Sequence, residues 1–239
     1  MNIYEPLEHA FQIPWVYQAA TLAIGLLLLV GAILRRQIIA ADGGVIPDEG
    51  VTLRNVLEVL VDRLATLARD IMGEEWRRYF PVVGTIFLFI LVSNLLGLIP
   101  GVSGATSSVN TTTAWAIISF LVYNAVGIQK HGFGYIKQFM GPSMFEVTLF
   151  GRNFHVRPMA PFFLPLDIFL HLARVGTLSI RLLANMFADH MVVAVWITLV
   201  PLVIPAIFMA LGLLVAVLQA FVFSLLTMIY IGLALEDAH

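Results

Sequence analysis

The chain has 239 residues, 60% of them hydrophobic and only 12% charged, whereas a soluble domain is about half apolar and about a quarter charged. A mean hydropathy of +0.93 excludes intrinsic disorder, and a net charge of −2 gives no electrostatic reason to bind nucleic acid. The absence of cysteine excludes disulfide scaffolds, thiol catalysis and thiolate metal sites, which leaves a polytopic membrane protein.

Glu5 and Glu8 precede the first apolar run, where a removable secretory signal would be basic. Residues 1–15 are therefore expected as an outside tail, and residues 16–34 as a retained transmembrane helix. Those 19 residues at about 1.5 Å each just cross a hydrocarbon layer of about 30 Å. The polar stretch 35–79 opens with turn signals at Gly43, Gly44 and Pro47. It then turns amphipathic: Leu53, Val56, Leu57, Leu60, Leu64, Leu67 and Ile71 recur at helical spacing, and charged residues fill most of the other face. That pattern predicts a helix lying along the membrane interface, on the cytoplasmic side.

A second span is predicted over 80–99, ended by Asn94, Gly97 and Pro100. The loop 100–112 carries no charge and is rich in Gly, Ser and Thr. A third span covers 113–128, and 129–161 is a polar connection with Lys130, Lys137, Arg152 and Arg157. From 162 to 235 the chain is almost continuously apolar, with Pro201 and Pro205 where a turn would fall. Two long helices, about 162–200 and 204–235, form a hairpin in which each helix exceeds a perpendicular span and must tilt or bend. The expected fold is thus an all-α integral membrane protein: one membrane domain with about five crossings, an interfacial helix and a long tilted hairpin, followed by the tail 236–239.

Of the thirteen Lys and Arg residues, seven lie between Arg35 and Arg78, four between Lys130 and Arg157, and two within the fourth apolar run. With five crossings, all eleven outside the spans share one side, which the positive-inside rule makes cytoplasmic. The N-terminus is then outside and the C-terminus cytoplasmic. No internal repeat is visible, which counts against a transporter built from two related halves.

Ionisable side chains inside a span are costly and are functional by default. At about 100° per residue, with Asp167 at zero, His171 falls about +40° round the helix, Arg174 about −20°, Arg181 about −40°, Asn185 about 0° and Asp189 about +40°. These six form one stripe. His190 lies about 180° from Arg181 and should face the other way. Some members have ordinary roles open to them. Asp167 can pair with His171 or Arg174, Arg174 can anchor the helix near the membrane edge, Asn185 can bond a neighbouring helix, and His190 can be a satisfied structural histidine. Arg181 is hardest to explain in that way, because it has no acidic residue four positions away and stays protonated. In the last run, Gln219 is the one strongly polar side chain before the C-terminus, with Ser224, Thr227 and Tyr230 milder; Gln219 can bond a neighbouring helix or face Arg181 across the hairpin.

Three ordered blocks carry a resemblance: Asn94 to Gly101 (NLLGLIPG) after Tyr79-Phe-Pro, Leu178 to His190 (LSIRLLANMFADH), and Leu218 to Tyr230 (LQAFVFSLLTMIY). Together they resemble subunit a of the F-type ATP synthase over nearly the whole chain. The resemblance implies a stator subunit that conducts protons through two offset half-channels to and from the carboxylates of a rotor ring of c subunits, coupling proton flow to rotation and ATP synthesis. Arg181 matches the family's essential arginine, Asn185 and Gln219 match supporting polar residues, and His190 matches the access path. Asp167 matches an acidic cytoplasmic position, and Tyr230 a polar site near the cytoplasmic end of the last helix. His171, Arg174 and Asp189 join these as candidates for proton translocation. Seven residues before Gln219 the family often has His or Glu, whereas this chain has Gly212, so His190 would work alone, with water, or with Asp189.

The partners implied are the c-ring facing Arg181, peripheral-stalk b subunits, the remaining synthase subunits, the lipid bilayer and H+, with Na+ second. No cofactor is implied. The expected location is a bacterial inner membrane. The chain has no phosphate-binding Gly-x-x-x-x-Gly-Lys-[Ser/Thr] loop for ATP chemistry, and no Gly-x-Ser-x-Gly or His-Glu-x-x-His motif of a hydrolase. It is therefore expected to be a non-catalytic, ion-translocating subunit. Asp167 and Asp189 stand about 33 Å apart along one helix, too far for an aspartyl dyad.

Overall fold

The computed structural model describes residue 4 and residues 14–40, 52–99, 101–132, 145–149, 152–156, 160–200 and 203–236. Helix α1 (Trp15–Ala40) is followed by α2 (Leu53–Met72). The start of α2 is fixed by Thr52, whose hydroxyl accepts the Asn55 N–H at 3.2 Å, satisfying a donor that the first turn leaves free. Its end is fixed by Gly73, at φ 64°, whose N–H returns to the Arg69 carbonyl, a backbone conformation that glycine adopts without steric cost. A 3-10 turn, Gly73–Glu75, leads directly into α3 (Trp76–Gly97).

After a second 3-10 turn at Ala105–Ser107 comes α4 (Val109–His131). It starts inside the stretch that composition marks as loop. Thr112 Oγ1 donates back to the Ser108 carbonyl at 3.2 Å, so a Thr-rich segment meets its own polar needs in helical form. The polar connection that follows contains an antiparallel hairpin, β1 (Phe145–Leu149) with β2 (Arg152–Val156), in which Phe145 pairs with Val156 and Leu149 with Arg152. Charge composition alone does not announce these strands; their β-branched and aromatic residues suit them.

The chain ends in α5 (Ala160–Leu199) and α6 (Val203–Leu235). The 40 residues of α5 rise about 60 Å, twice a hydrocarbon layer of about 30 Å. The long hairpin is therefore observed. Among the described residues, five helices are long and apolar enough to cross a membrane, and these elements are all α-helical.

The core lies where α3 and α6 meet. Ile86, Phe87 and Ile90 of α3 pack with Phe223, Met228 and Ile231 of α6, and Leu182 of α5 and Tyr123 of α4 close the cluster. From α2, the apolar face of Leu64, Ala68 and Met72 joins this core, while Val56 and Val59 remain exposed. Helix α1 uses small residues, Ala19 and Ala23, to approach Phe89 and Ala105, as close helix packing in lipid favours. Large apolar side chains line the perimeter, Leu28, Ile207 and Leu214 among them. Water would solvate them badly, and lipid solvates them well.

Candidate functional site

Helix α5 supplies most of the polar groups, and its pitch sends them to different places. Arg181 is exposed and makes no hydrogen bond or ion pair among the described residues. Its neighbour in the core, Leu182, is fully buried, so Arg181 stands on the open side of a well-packed helix. Two residues earlier, Ser179 is buried and donates to Thr112 Oγ1 at 3.1 Å, and it shares a second hydrogen bond of 3.0 Å with Thr113. These hydroxyls tie α5 to the start of α4 and fix the rotation that turns Arg181 outward.

One turn beyond Arg181, Asn185 Nδ2 donates to Gln219 Oε1 of α6 at 2.9 Å. Gln219 is buried, and its Nε2 has no partner among the described residues. Gln219 thus meets Asn185. On the opposite side of α5, His190 is half-buried, with Nε2 2.8 Å from the Gly97 carbonyl of α3. Arg181 and His190 do face different ways, as the helical pitch predicts.

Asp189 and His190 line a cavity of about 290 Å³ together with Gly97, Leu98, Gly101 and Ser103. Gly101, Val102 and Ser103 form the other wall. Gly97 and Gly104 allow this approach. A β-carbon on Gly104 would lie 3.2 Å from Gly97 N, and one on Gly97 would run into Met186 of α5 and come within 3.4 Å of His190 Nε2. Asn94, one turn before Gly97, is fully buried. It accepts the Thr106 hydroxyl at 2.7 Å and donates to the Ala216 carbonyl at 3.2 Å, which joins α3, the loop and α6.

The single stripe read from the wheel divides in the folded chain. Arg174 turns inward over the rings of Tyr230, 4.1 Å from its centroid, and Tyr123, at 5.6 Å. Asp167 and His171 lie on α5, but their side chains fall outside the described residues. Asn185 meets Gln219 of α6, Asp189 and His190 border the cavity, and Arg174 and Tyr230 form a separate group with Tyr123. Among the described residues, no three His, Asp or Glu side chains converge as metal ligands.

Sequence reasoning missed the pairing of Ser179 with Thr112 and Thr113, and it missed Tyr123. A hydroxyl in an apolar run signals that a partner exists, but not which helix supplies it. For Tyr123 the helical spacing Thr112, Ser119, Tyr123 was available; it puts all three on one face of α4.

The family model described as ATP synthase A chain matches residues 18–232. ATP synthase subunit a 1 of Syntrophotalea carbinolica is 40% identical over 235 residues, 98% of this chain and 91% of that protein. ATP synthase subunit a of Trichlorobacter lovleyi is 40% identical over 216 residues, 90% of this chain and 85% of its own length. ATP synthase subunit a of Geobacter sulfurreducens is 39% identical over 218 residues, 91% and 86% of the two chains.

Proposed function

The chain belongs to the ATP synthase A chain family, and from that premise we propose that it is the stator channel of a rotary synthase, with Arg181 as the fixed charge between two offset aqueous half-channels. Members of the family are membrane-sector, proton-translocating subunits, and ATP chemistry resides elsewhere in the complex. Other ATP synthase subunits are its partners.

The observation that carries the reading is the division of α5 into two faces. On one, Arg181 is exposed and unpaired among the described residues. On the other, Asp189 and His190 border a cavity walled by Gly101, Val102 and Ser103. A carboxylate of a c-ring passing Arg181 would be held ionised, because a nearby positive charge lowers a carboxyl pKa. The same charge, permanent on a guanidinium, blocks a continuous proton path between the half-channels. A proton entering by the cavity reaches the ring near Asn185 and Gln219, and one leaving passes toward Asp167 and His171. Each proton crossing 100 mV releases about 2.3 kcal/mol, which is the work available for rotation. The exposed apolar side chains Ile180 and Phe187 of α5 and Leu211 and Leu218 of α6 suit a sliding contact.

In this reading the N-terminus is outside, the C-terminus and the basic connections are cytoplasmic, and the membrane is a bacterial inner membrane. Peripheral-stalk b subunits hold the chain still, and H+ is the ion ahead of Na+. The test is ATP-driven proton pumping in inverted vesicles, comparing wild type with Arg181→Ala and checking assembly by co-purification. Loss of pumping in an assembled complex is expected. Unchanged pumping would make Arg181 structural and overturn the reading.

A further inference from the structure

Further polar side chains are buried in the interior of the bundle, on α3, α4 and α6. Asn94 of α3 is bonded to Thr106 in the 101–108 segment. Farther along α6, Thr227 shares a hydrogen bond of 2.8 Å with Ser119 of α4, and both are buried. Between these pairs in the chain order of α6 lie Gln219 and Ser224. Ser224 Oγ, Gln219 Nε2 and Ser93 Oγ, next to Asn94, are buried with no hydrogen-bond partner among the described residues. Buried polar atoms of this kind are ordinarily met by ordered water. Water filling these positions would join them into a seam of hydroxyls and amides, along which protons could enter the bundle.

The seam ends at a cation. Tyr123 lies one turn past Ser119 on α4, and Tyr230 three residues past Thr227 on α6. Their ring centroids are 5.7 Å apart, and the Arg174 guanidinium lies over both. Stacking on aromatic faces suits a planar guanidinium, which holds its charge at any accessible pH. Arg174 therefore places a permanent positive charge in the layer just below the last hydroxyl pair.

We propose that Arg174, clamped by Tyr123 and Tyr230, is an electrostatic seal that stops protons leaking through this interior seam. A fixed cation in a polar constriction repels hydronium, as arginine does in pores that must exclude protons. The two intramembrane arginines then have separate tasks: Arg181 governs exchange with the ring on the exposed face, and Arg174 closes the interior. The inference rests on the proton-channel reading, but it concerns passive leak and not coupled transport.

The experiment uses the assembled complex in inverted vesicles without nucleotide. A potassium diffusion potential drives passive proton flux, read with a pH-sensitive dye. Arg174→Leu is expected to raise that flux several-fold over wild type, and Arg174→Lys, which keeps a charge, to restore most of the tightness. Arg174→Gln stands in if the leucine variant fails to co-purify with its partners. Adding Thr227→Val to the leaking variant breaks the seam and is expected to return the flux toward wild type. Wild-type flux in Arg174→Leu or Arg174→Gln overturns the proposal. A leak that Thr227→Val leaves untouched also overturns it, since loosened packing would then be the cause. Failure of the Arg181→Ala pumping test would strike the channel reading instead, and the two failures are read in different assays.

Discussion

Asp189 and Gly212 are neighbours across the α5–α6 hairpin: a β-carbon built on Gly212 would stand 3.6 Å from Asp189 Oδ2 and 2.7 Å from Leu98 Cδ2. Gly212 is buried, so its missing side chain is the space beside which the carboxylate packs. The family resemblance leads one to expect an ionisable residue on the last helix here. In this chain the acid near that place comes from α5 instead. With His190 next in sequence, one helix presents two titratable groups to the same cavity.

Filling position 212 should therefore disturb the cavity in proportion to size. Gly212→Ala asks only for a small movement of the Leu98 tip, and near-normal ATP-driven pumping is expected. Gly212→Leu pushes on both Leu98 and Asp189, an overpacking cost of about 1–3 kcal/mol, and pumping should fall sharply while co-purification shows how much complex remains. Normal pumping by Gly212→Leu would mean that the space beside Asp189 has no part in transport.

His190 can be separated into a structural and a proton-carrying role. Its Nε2 stands 2.8 Å from the Gly97 carbonyl, a contact that an amide N–H can also make. His190→Gln should thus assemble as wild type, yet pump poorly, because an amide does not titrate. His190→Leu loses both functions. If His190→Gln pumps at the wild-type rate, the histidine only ties α5 to α3.

Much of this arrangement was legible before any fold was known. Hydropathy points to about five long apolar helices, because a layer of about 30 Å demands long apolar runs, and five helices long and apolar enough to cross a membrane are found among the described residues. The opposed directions of Arg181 and His190 followed from nine residues of helical pitch alone. What failed to show was anything set by tertiary contact. Arg174 shares a wheel position with Arg181, but only the placement of Tyr123 and Tyr230 turns it inward. For Gly212 the sequence offers Asp189 as one of several substitutes for the missing group, and only the tertiary contact sets Asp189 beside it. The strands Phe145–Leu149 and Arg152–Val156 lie within a connection whose charges mark it as polar, while Phe145, Val147 and Leu149 alternate as a strand requires.

Asn185 and Gln219 should behave as a unit. Their hydrogen bond is 2.9 Å long, and Gln219 is buried. Removing one partner leaves the other unmet, at a cost of about 1–3 kcal/mol, whereas removing both leaves no orphan. Asn185→Leu and Gln219→Leu are each expected to lower the melting temperature of the purified complex, and the double variant to lie well above the sum of the two losses. Strict additivity would show that the bond contributes nothing to the hairpin.

Gly232 marks where α2 is held against α6. A β-carbon there would lie 2.9 Å from the Ile71 carbonyl oxygen and 3.2 Å from Ile71 Cγ2. A backbone atom cannot swing aside as the tip of Leu98 can, so even one methyl group must lift the end of α2 from the bundle. Gly25 of α1 is the internal control, because nothing lies within 4 Å of its added carbon. In both helices alanine relieves the entropy cost of glycine, about 0.5–1 kcal/mol. Gly25→Ala should therefore leave thermal stability unchanged or slightly raised, and Gly232→Ala should lower it despite the same gain. Equal melting temperatures for the two variants would mean that the contact between Ile71 and Gly232 is loose enough to accept a side chain, and that α2 is held mainly by Leu64, Ala68 and Met72.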